Sequence, residues 1–240
     1  MNIAVIFAGG VGARMNSKDR PKQFLELYNK PIIIHTLDVF ERSKDIDAIV
    51  ISCVEGWIPY LEELIYRFRI EKVRKVVPGG ATGQLSIYNG LQAAKEVAGE
   101  EEAIVLIHDG VRPNISPELI RANIDSVLAH GTAISCATAT ETPAEIDADG
   151  MITNVSPRDC AVIAKAPQSF LLKDIYAAHK KAQSEGLNNF IDSATMMRHY
   201  GYRLHVVPCR WDNIKITTPS DFYIFRAILE AQENSQFFSL

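Results

Sequence analysis

The sequence has little that would mark a membrane, secreted or zinc-binding protein. No apolar run approaches the roughly 18 residues that a transmembrane helix needs, and the amino terminus has no basic segment followed by a long apolar core. The four cysteines are far apart and form no Cys-x-x-Cys pair, which argues against a zinc knuckle or a disulfide scaffold. We therefore expect a soluble cytoplasmic protein with reduced thiols.

An excess of positive charge is also missing. The net charge of −4 argues against a nucleic-acid partner held by a broad basic surface. Hydrophobic residues make up 47% and charged residues 22% of the 240 residues, which is ordinary for a globular protein long enough to bury a large core. Because no linker, repeat or low-complexity tract interrupts the chain, we predict one domain spanning residues 1–240.

Two common phosphate-binding motifs are missing from the stretch 3–24, although apolar residues, glycines and cations all occur there. A dinucleotide fingerprint needs a third glycine where Met15 stands, and a Walker A loop needs a Gly-Lys-Ser/Thr ending that does not follow these glycines. The glycines still leave backbone N–H groups open to an anion. With the nearby cations, they favour phosphate binding over a plain turn with solvated side chains. These cations are Arg14, Lys18, Arg20 and Lys22.

Hydrophobic patterning predicts an alternation of strands and helices. We predict strands at 3–7, 48–54, 73–77, 103–107 and 132–137, with helices at 32–42, 57–68, 85–97 and 117–130. This order is typical of a doubly wound, mostly parallel α/β sheet. Ligands bind beyond the carboxyl ends of the strands in such sheets, where the segments 8–12, 79–86 and 108–113 all lie.

The later part of the chain is less regular. Residues 138–167 divide into short polar pieces, in which a hairpin with arms at 141–146 and 151–155 fits the turn at 147–150. We predict that this hairpin arm, at about 138–160, packs against a partner, since a lone hairpin is marginally stable. Helices at 173–184 and 192–200, a strand at 202–207 and a closing helix from Ser220, as its N-cap, to about Gln232 follow.

Two charged residues are candidates for chemistry at the predicted sheet edge. Asp109 ends an apolar strand, so it either forms an ion pair with Arg112 that fixes the turn or binds Mg²⁺ or a ribose hydroxyl. Lys215 lies between Ile214 and Ile216 in a strand-like segment, so it is either a solvated lysine or a further cation of the phosphate site. Phosphoryl or nucleotidyl transfer needs no nucleophile-and-base pair, which makes a transferase attractive.

Six motifs together resemble the cytidylyltransferases that make CDP-methylerythritol or CDP-ribitol. The resemblance spans nearly the whole chain, and the motifs occur in the same order as in that family. They are AGGVGARM at 8–15, PKQF at 21–24, GGATGQLS at 79–86, HDGVRP at 108–113, APQSF at 166–170 and DNIKITTP at 212–219.

The resemblance implies a nucleotide-diphospho-sugar-transferase-like fold and a Mg²⁺-requiring enzyme that uses CTP. A polyol phosphate would attack the α-phosphorus of CTP and release pyrophosphate. Arg14, Lys22 and Lys215 would act on the phosphates, and Asp109 would meet the ribose and the metal. The residues implied to line the cytidine are Ala8, Gly9, Gly10, Gly80 and Ser86.

The hairpin acquires a role only through the resemblance. On the sequence alone, Thr142 reads as a strand residue and Arg158 as a surface arginine. The resemblance implies that both reach the polyol phosphate bound to a neighbouring subunit, and therefore that the protein is a homodimer.

Departures from the methylerythritol pattern point to the acceptor. Ala81 and Gly83 stand where an acidic residue and an arginine are common, and Ala166 replaces a threonine before Pro-Gln. The segments WIPY from Trp57 and SIYNGL from Ser86 resemble the ribitol branch. We therefore favour ribitol 5-phosphate, with 2-C-methyl-D-erythritol 4-phosphate as the alternative acceptor.

Two other functional classes are disfavoured. A non-catalytic nucleotide-binding domain would have no need to keep Arg14, Lys22, Asp109 and Lys215 together. An NAD-dependent oxidoreductase is disfavoured by Met15 in the glycine motif.

Overall fold

The computed structural model describes residues 1–10 and 20–237, and side chains as far as residue 234. The strands are β1 Asn2–Ala8, β2 Glu26–Leu27, β3 Lys30–Pro31, β4 Ala48–Cys53, β5 Val73–Pro78, β6 Ile104–Asp109, β7 Thr132–Thr138, β8 Ala144–Ile146, β9 Ile152–Val155, β10 Val162–Leu171 and β11 Val206–Pro208. The helices are α1 Ile32–Arg42, α2 Ile58–Arg67, α3 Gly83–Ala98, α4 Pro117–His130, α5 Leu172–Ser184, α6 Ser193–His199 and α7 Pro219–Phe237. Short 3₁₀ helices occur at Lys22–Phe24, Glu55–Trp57 and Arg158–Cys160.

Seven strands form one sheet in the order β11-β7-β10-β6-β1-β4-β5. Strand β1 pairs in parallel with β4 and β6, β4 with β5, and β7 with β11, whereas β10 runs antiparallel to both β6 and β7. After β5 the chain crosses back over β1 to form β6. The predicted doubly wound, mostly parallel sheet is confirmed, and its strand order reverses between β1 and β6, where such folds bind ligands.

Helices cover both faces of the sheet, which explains the unbroken apolar runs of its central strands. In β1, Ala4 and Ile6 pack with α1, α2 and α4, while Ile3 and Val5 pack on the opposite face with α3, α5 and α6. All four of these side chains are fully buried. Each face of the sheet therefore has its own apolar cluster, and a third, smaller cluster includes Ile216 and Phe225.

Three predictions near the carboxyl end were wrong. The strand predicted at 202–207 covers only Val206–Pro208, because the Thr132 hydroxyl donates to Arg203 O and accepts from His205 N in place of ladder bonds. The segment around Lys215 is not a strand, since side chains rather than a neighbouring strand bind its carbonyl groups.

Ser220 is not the N-cap of the closing helix, which begins one residue earlier at Pro219. The Asp221 carboxylate accepts the N–H groups of Thr217 and Thr218 at 2.8 and 2.7 Å, so an acidic side chain inside the first turn organises this end. Proline at the first helical position is common, because its missing N–H would have no partner there.

Strand β10 was not predicted from the sequence. Pro167 lies inside it, and proline normally argues against a strand in the middle of a sheet because it cannot donate to the ladder. The pairing of β10 with β7 shifts register between Ala164 and Gln168, and this irregularity accommodates the proline.

The predicted hairpin is present as strands β8 and β9, which form a two-stranded sheet of their own. All seven of their residues are exposed. The hydrogen bond from Ala139 N to Ala161 O, at 3.1 Å, closes the base of this arm where β7 ends and β10 begins.

Candidate active site

A buried ion-pair cluster lies at the end of β6, beside the end of β1. The Asp109 carboxylate contacts Arg112 Nε at 3.0 Å through Oδ2 and Lys215 Nζ at 2.6 Å through Oδ1. Burial raises the pKa of the Asp109 carboxyl, but Arg112 and Lys215 outweigh burial and hold that pKa well below its usual range. The cluster therefore contains an ionised carboxylate and two cations.

The ion-pair interpretation of Asp109 is confirmed, whereas its binding of Mg²⁺ or a ribose hydroxyl stays a prediction. The ion pair with Arg112 fixes the turn, as the simpler interpretation predicted, and Arg112 also donates to Asn213 O at 2.8 Å. The same carboxylate faces Lys215, which comes from a segment about a hundred residues further along the chain. Lys215 keeps 39% of its side chain exposed, so it is accessible to a ligand at this edge.

The two glycine-rich loops contact each other directly. A Cβ atom on Gly9 would lie 2.6 Å from Ser86 Oγ, and one on Gly80 would lie 2.4 Å from Leu85 Cβ. Glycine is therefore required at position 9 because the second loop approaches closely, and at position 80 because the same loop folds back at Leu85. Ser86 Oγ accepts from Gly80 N and donates to Thr82 O, each at 3.0 Å, so this hydroxyl holds the second loop against α3.

The amino terminus of α3 borders the loops. Thr82 is its N-cap, accepting from Leu85 N at 3.2 Å, and the helix starts at Gly83. A helix amino terminus offers N–H groups and a positive dipole end to an anion. Ala8 is buried at the end of β1, whereas Gly10 is exposed at the start of the loop.

Lys22 is held near the same strand end by its neighbour. Gln23 donates from Nε2 to Ala8 O at 2.8 Å, and Phe24 stacks on Trp57 with ring centroids 5.0 Å apart. These contacts fix the short helix Lys22–Phe24 beside β1. Arg14, the other cation assigned to the phosphates, lies outside the described residues.

A cavity of about 320 Å³ extends from the Asp109 cluster between α3 and β10. Asp109, Lys215 and the start of α3 line it, together with Lys165 from β10 and His179 from α5. The structure therefore brings Asp109 and Lys215 to one cavity, and the register of β1 with β6 places the first glycine loop next to it. Of the predicted residues, Thr142 and Arg158 lie elsewhere, exposed on the arm.

No sequence motif marked Lys165 or His179 as part of the site. Lys165 donates to backbone carbonyls 46 and 48 residues away, and no motif marks such a contact. Neither ring nitrogen of His179 has a partner among the described residues, and burial lowers the pKa of this histidine to about 4. It therefore acts as a neutral, buried wall of the cavity.

The arrangement is suited to binding and polarising phosphate groups. One buried carboxylate, several cations, a helix amino terminus and two glycine loops converge at the strand-order reversal. Among the described residues no three histidine, cysteine or acidic side chains form a metal cluster, and no helix is long and apolar enough to cross a bilayer.

Comparison with known proteins finds similarity to cytidylyltransferases. The IspD family model, 2-C-methyl-D-erythritol 4-phosphate cytidylyltransferase, matches residues 2–231. The ribitol-5-phosphate cytidylyltransferase of Streptococcus agalactiae serotype V is 50% identical over 240 residues, covering 100% of both chains. A protein of the same name from Vibrio parahaemolyticus serotype O3:K6 is 51% identical, covering 99% of this chain and 100% of its own.

Less similar relatives are named for 2-C-methyl-D-erythritol 4-phosphate or its cytidylyl product. The 2-C-methyl-D-erythritol 4-phosphate cytidylyltransferase of Geotalea uraniireducens is 39% identical over 229 residues, covering 95% of this chain and 96% of its own. The crystal structure of 4-diphosphocytidyl-2C-methyl-D-erythritol synthase from Anaerococcus prevotii has a TM-score of 0.83 at 28% identity. It covers 95% of this chain and 96% of its own.

Proposed function

The chain belongs to the 2-C-methyl-D-erythritol 4-phosphate cytidylyltransferase family, and on that premise we propose that it converts CTP and D-ribitol 5-phosphate to CDP-ribitol and pyrophosphate. Membership of the family makes it a nucleotidyltransferase. The observation that carries the choice of acceptor is sequence identity. The two relatives named above for ribitol 5-phosphate are 50% and 51% identical to this chain, whereas the Geotalea uraniireducens relative named for methylerythritol phosphate is 39% identical.

In the proposed reaction a phosphate oxygen of the polyol phosphate bonds to the α-phosphorus of CTP, and the bond to the departing pyrophosphate breaks. Lys215 would stabilise the charge at the α-phosphate, while Arg14 and Lys22 would hold the triphosphate. No protein nucleophile is required, because positioning and electrostatic stabilisation supply most of the acceleration. Ala8, Gly9, Gly10 and Gly80 would present backbone to the cytidine, beside Ser86.

Mg²⁺ fits this site as an ion held mainly by the substrate. Asp109 is its one proposed protein ligand, and magnesium usually takes one or two carboxylates with substrate phosphates and water. The fit requires Lys215 to exchange Asp109 for a phosphate, which its 39% exposed side chain permits. When bound, the ion would neutralise phosphate charge during transfer.

We propose that the protein works as a homodimer in which each arm completes the other site. The support is the exposure of apolar residues along the arm: Ile146 is 67%, Ile152 65% and Val155 55% exposed. Thr142 and Arg158 would contact the phosphate of the acceptor bound to the other subunit.

Location and other partners are further proposals. A cytoplasmic location is supported by the four cysteines, all of which are free thiols. The net charge of −4 supports the absence of a nucleic-acid partner.

An acceptor assay tests the function. Purified enzyme receives CTP, Mg²⁺ and either ribitol 5-phosphate or methylerythritol 4-phosphate, and pyrophosphate release is measured. We expect faster turnover with ribitol 5-phosphate. Faster turnover of methylerythritol phosphate would overturn the choice of acceptor, and release with neither would overturn the function.

Mixing two inactive variants tests the shared site. Lys22→Ala removes a phosphate contact but leaves the arm intact, whereas Arg158→Ala does the reverse. After subunit exchange, half of the dimers are mixed and each has one intact site, so about a quarter of the original activity should return. No recovery in dimers shown to exchange would contradict an arm that acts across the interface.

A further inference from the structure

Lys165 is a buried cation beside the candidate site, and the proposed mechanism gives it no role. Its side chain lies in β10 at 7% exposure, and none of the ion pairs in residues 1–10 and 20–234 includes it. Its Nζ atom donates to Trp211 O at 2.7 Å and approaches Asn213 O at 3.3 Å. The same atom lies 4.4 Å from the centre of the Trp211 ring, a cation–π distance.

Burying an ammonium without a carboxylate is unfavourable. Burial lowers the pKa of the Lys165 ammonium, because removal from water disfavours its charged form. Neutral carbonyl groups and an aromatic ring offset only part of it, and an apolar side chain of similar length would avoid it. The charge at this position therefore has a use other than stabilising the fold.

The contacts of Lys165 all lie on one irregular segment, residues 211–215. Asn213 is 2% exposed, its amide donates to Ala166 O at 2.8 Å, and its carbonyl also accepts from Arg112 at 2.8 Å. Lys215 follows two residues later and contacts Asp109. This segment is itself neither strand nor helix. On one side of Lys215, Ile216 N donates to Val111 O at 2.8 Å; on the other side, side chains bind the carbonyls of Trp211 and Asn213 and so help to set where Lys215 stands.

We propose that Lys165 is a positioning residue for the transfer reaction, holding the segment 211–215 so that Lys215 faces the α-phosphate. This inference rests on the proposed role of Lys215. Lys165 acts through the carbonyls of Trp211 and Asn213, and it leaves binding of CTP at the glycine loops unchanged.

Lys165→Met tests the proposal because methionine keeps the apolar stem and removes the charge and the donors. We expect kcat to fall about tenfold to a hundredfold, the scale of a small misplacement of a catalytic group. The KM for CTP should stay within about threefold, and thermal unfolding should stay close to the unsubstituted protein. Lys165→Arg, which keeps the charge and the donors, should retain more activity. The matched control is Lys173→Met, at an exposed position of α5.

A double-mutant cycle separates positioning from an independent role. In a Lys215→Ala background, Lys165→Met should lower kcat by less than about threefold, because the residue through which it acts has gone. A full tenfold loss in that background, or an unchanged kcat in the single variant, would overturn the proposal. If Lys165→Met does not fold, Lys165→Gln takes its place, and failure of both to fold would assign Lys165 to stability alone.

Fluorescence of Trp211 gives a readout that needs no turnover. In a Trp57→Phe background, Trp211 is the one remaining tryptophan. Lys165→Met should raise its quenching by acrylamide by about half, since the segment loses its anchor. Absence of polyol-phosphate turnover would refute the proposed function alone. Unchanged acrylamide quenching of Trp211 would refute the proposal that Lys165 holds the segment 211–215.

Discussion

The Asp109 cluster and the hairpin arm are opposite in character. Asp109 is 4% exposed, and its two carboxylate oxygens contact Arg112, three residues along the chain, and Lys215, about a hundred residues away. The strands of the arm are exposed throughout and pair only with each other. The cluster is complete within one chain, whereas the arm exposes apolar side chains with no covering element among the described residues.

This difference separates two kinds of consequence. Substitutions in the cluster should change the stability of the single chain and the chemical step, because buried charges depend on their partners. Substitutions in the arm should leave the fold intact and act through assembly. The predictions that follow test this separation, beginning with the largest expected effect.

Asp109→Asn should lower the free energy of unfolding by roughly 3–5 kcal/mol, because it leaves the buried Arg112 guanidinium without a countercharge. Urea unfolding measures the change. The control is Glu102→Gln, which breaks the exposed ion pair with Lys173 and should cost less than about 1 kcal/mol. Equal losses of unfolding free energy in the two variants would show that the buried Asp109 cluster stabilises the fold no more than an exposed ion pair does.

Mild acid should destabilise the body of the molecule. Burial lowers the pKa of His108 and of His179 from 6.5 to about 4, so between these values the unfolded chain binds protons that the native chain does not. Unfolding free energy should therefore fall as pH falls from 6.5 to 4, by up to about 1.4 kcal/mol per pH unit for each histidine. The Asp109 carboxylate also contributes stability, and this contribution is fully present above the pKa that Asp109 has in the unfolded chain. It is lost as pH falls through the lower pKa that Asp109 has in the native chain.

His179→Phe checks the acid prediction, because that ring makes no hydrogen bond in the described structure. Denaturant unfolding at several pH values should show a shallower slope between pH 6.5 and 4 in the variant. Identical slopes would mean that His179 becomes protonated in the native state.

Lys22→Ala should lower turnover by at least about a hundredfold, the effect of removing one transition-state donor. Its stability should change little, since Gln23 and Phe24 hold the short helix. Steady-state pyrophosphate release measures the loss, with exposed Lys173→Ala as the matched control. Turnover near that of the control would refute the assigned role.

Ile152→Glu should weaken the proposed dimer at least about tenfold, because an isoleucine buried in that interface would contribute about 1.5–3 kcal/mol. Sedimentation analysis measures dissociation, and circular dichroism should show an unchanged fold. Leu128→Glu on α4, a 71% exposed position, is the control. Unchanged dissociation of the Ile152→Glu variant would show that the arm does not form the interface.

Local signals predicted the regular elements well. Helices α1 and α4 begin and end at the predicted residues. In α4 the reason is local, because Ser116 caps the amino end and Gly131, with φ of 77°, ends the helix. The hairpin was likewise found from its Asp-Gly turn. Such signals lie within a few residues of the feature that they determine.

Long-range contacts were harder to predict. The place of Asp109 at the ligand-binding edge of the sheet follows from the order of strands and helices, but the irregular course of the Lys215 segment and its ion pair with Asp109 do not. Strand β10 and Lys165 were missed for the same reason. The strand is stabilised by β6 and β7, and the lysine by carbonyls of a segment that no local pattern places beside it.

The hydrogen bond between Ala139 and Ala161 gives the arm a fixed base. The chain leaves the sheet and re-enters it at one edge because β10 runs opposite to its neighbours, so the 21 residues between these two positions form a loop with adjacent ends. Such a segment can lengthen, shorten or change sequence while the rest of the sheet keeps its packing. Changes in the arm can therefore alter the proposed acceptor contacts of Thr142 and Arg158 without disturbing the buried Asp109 cluster.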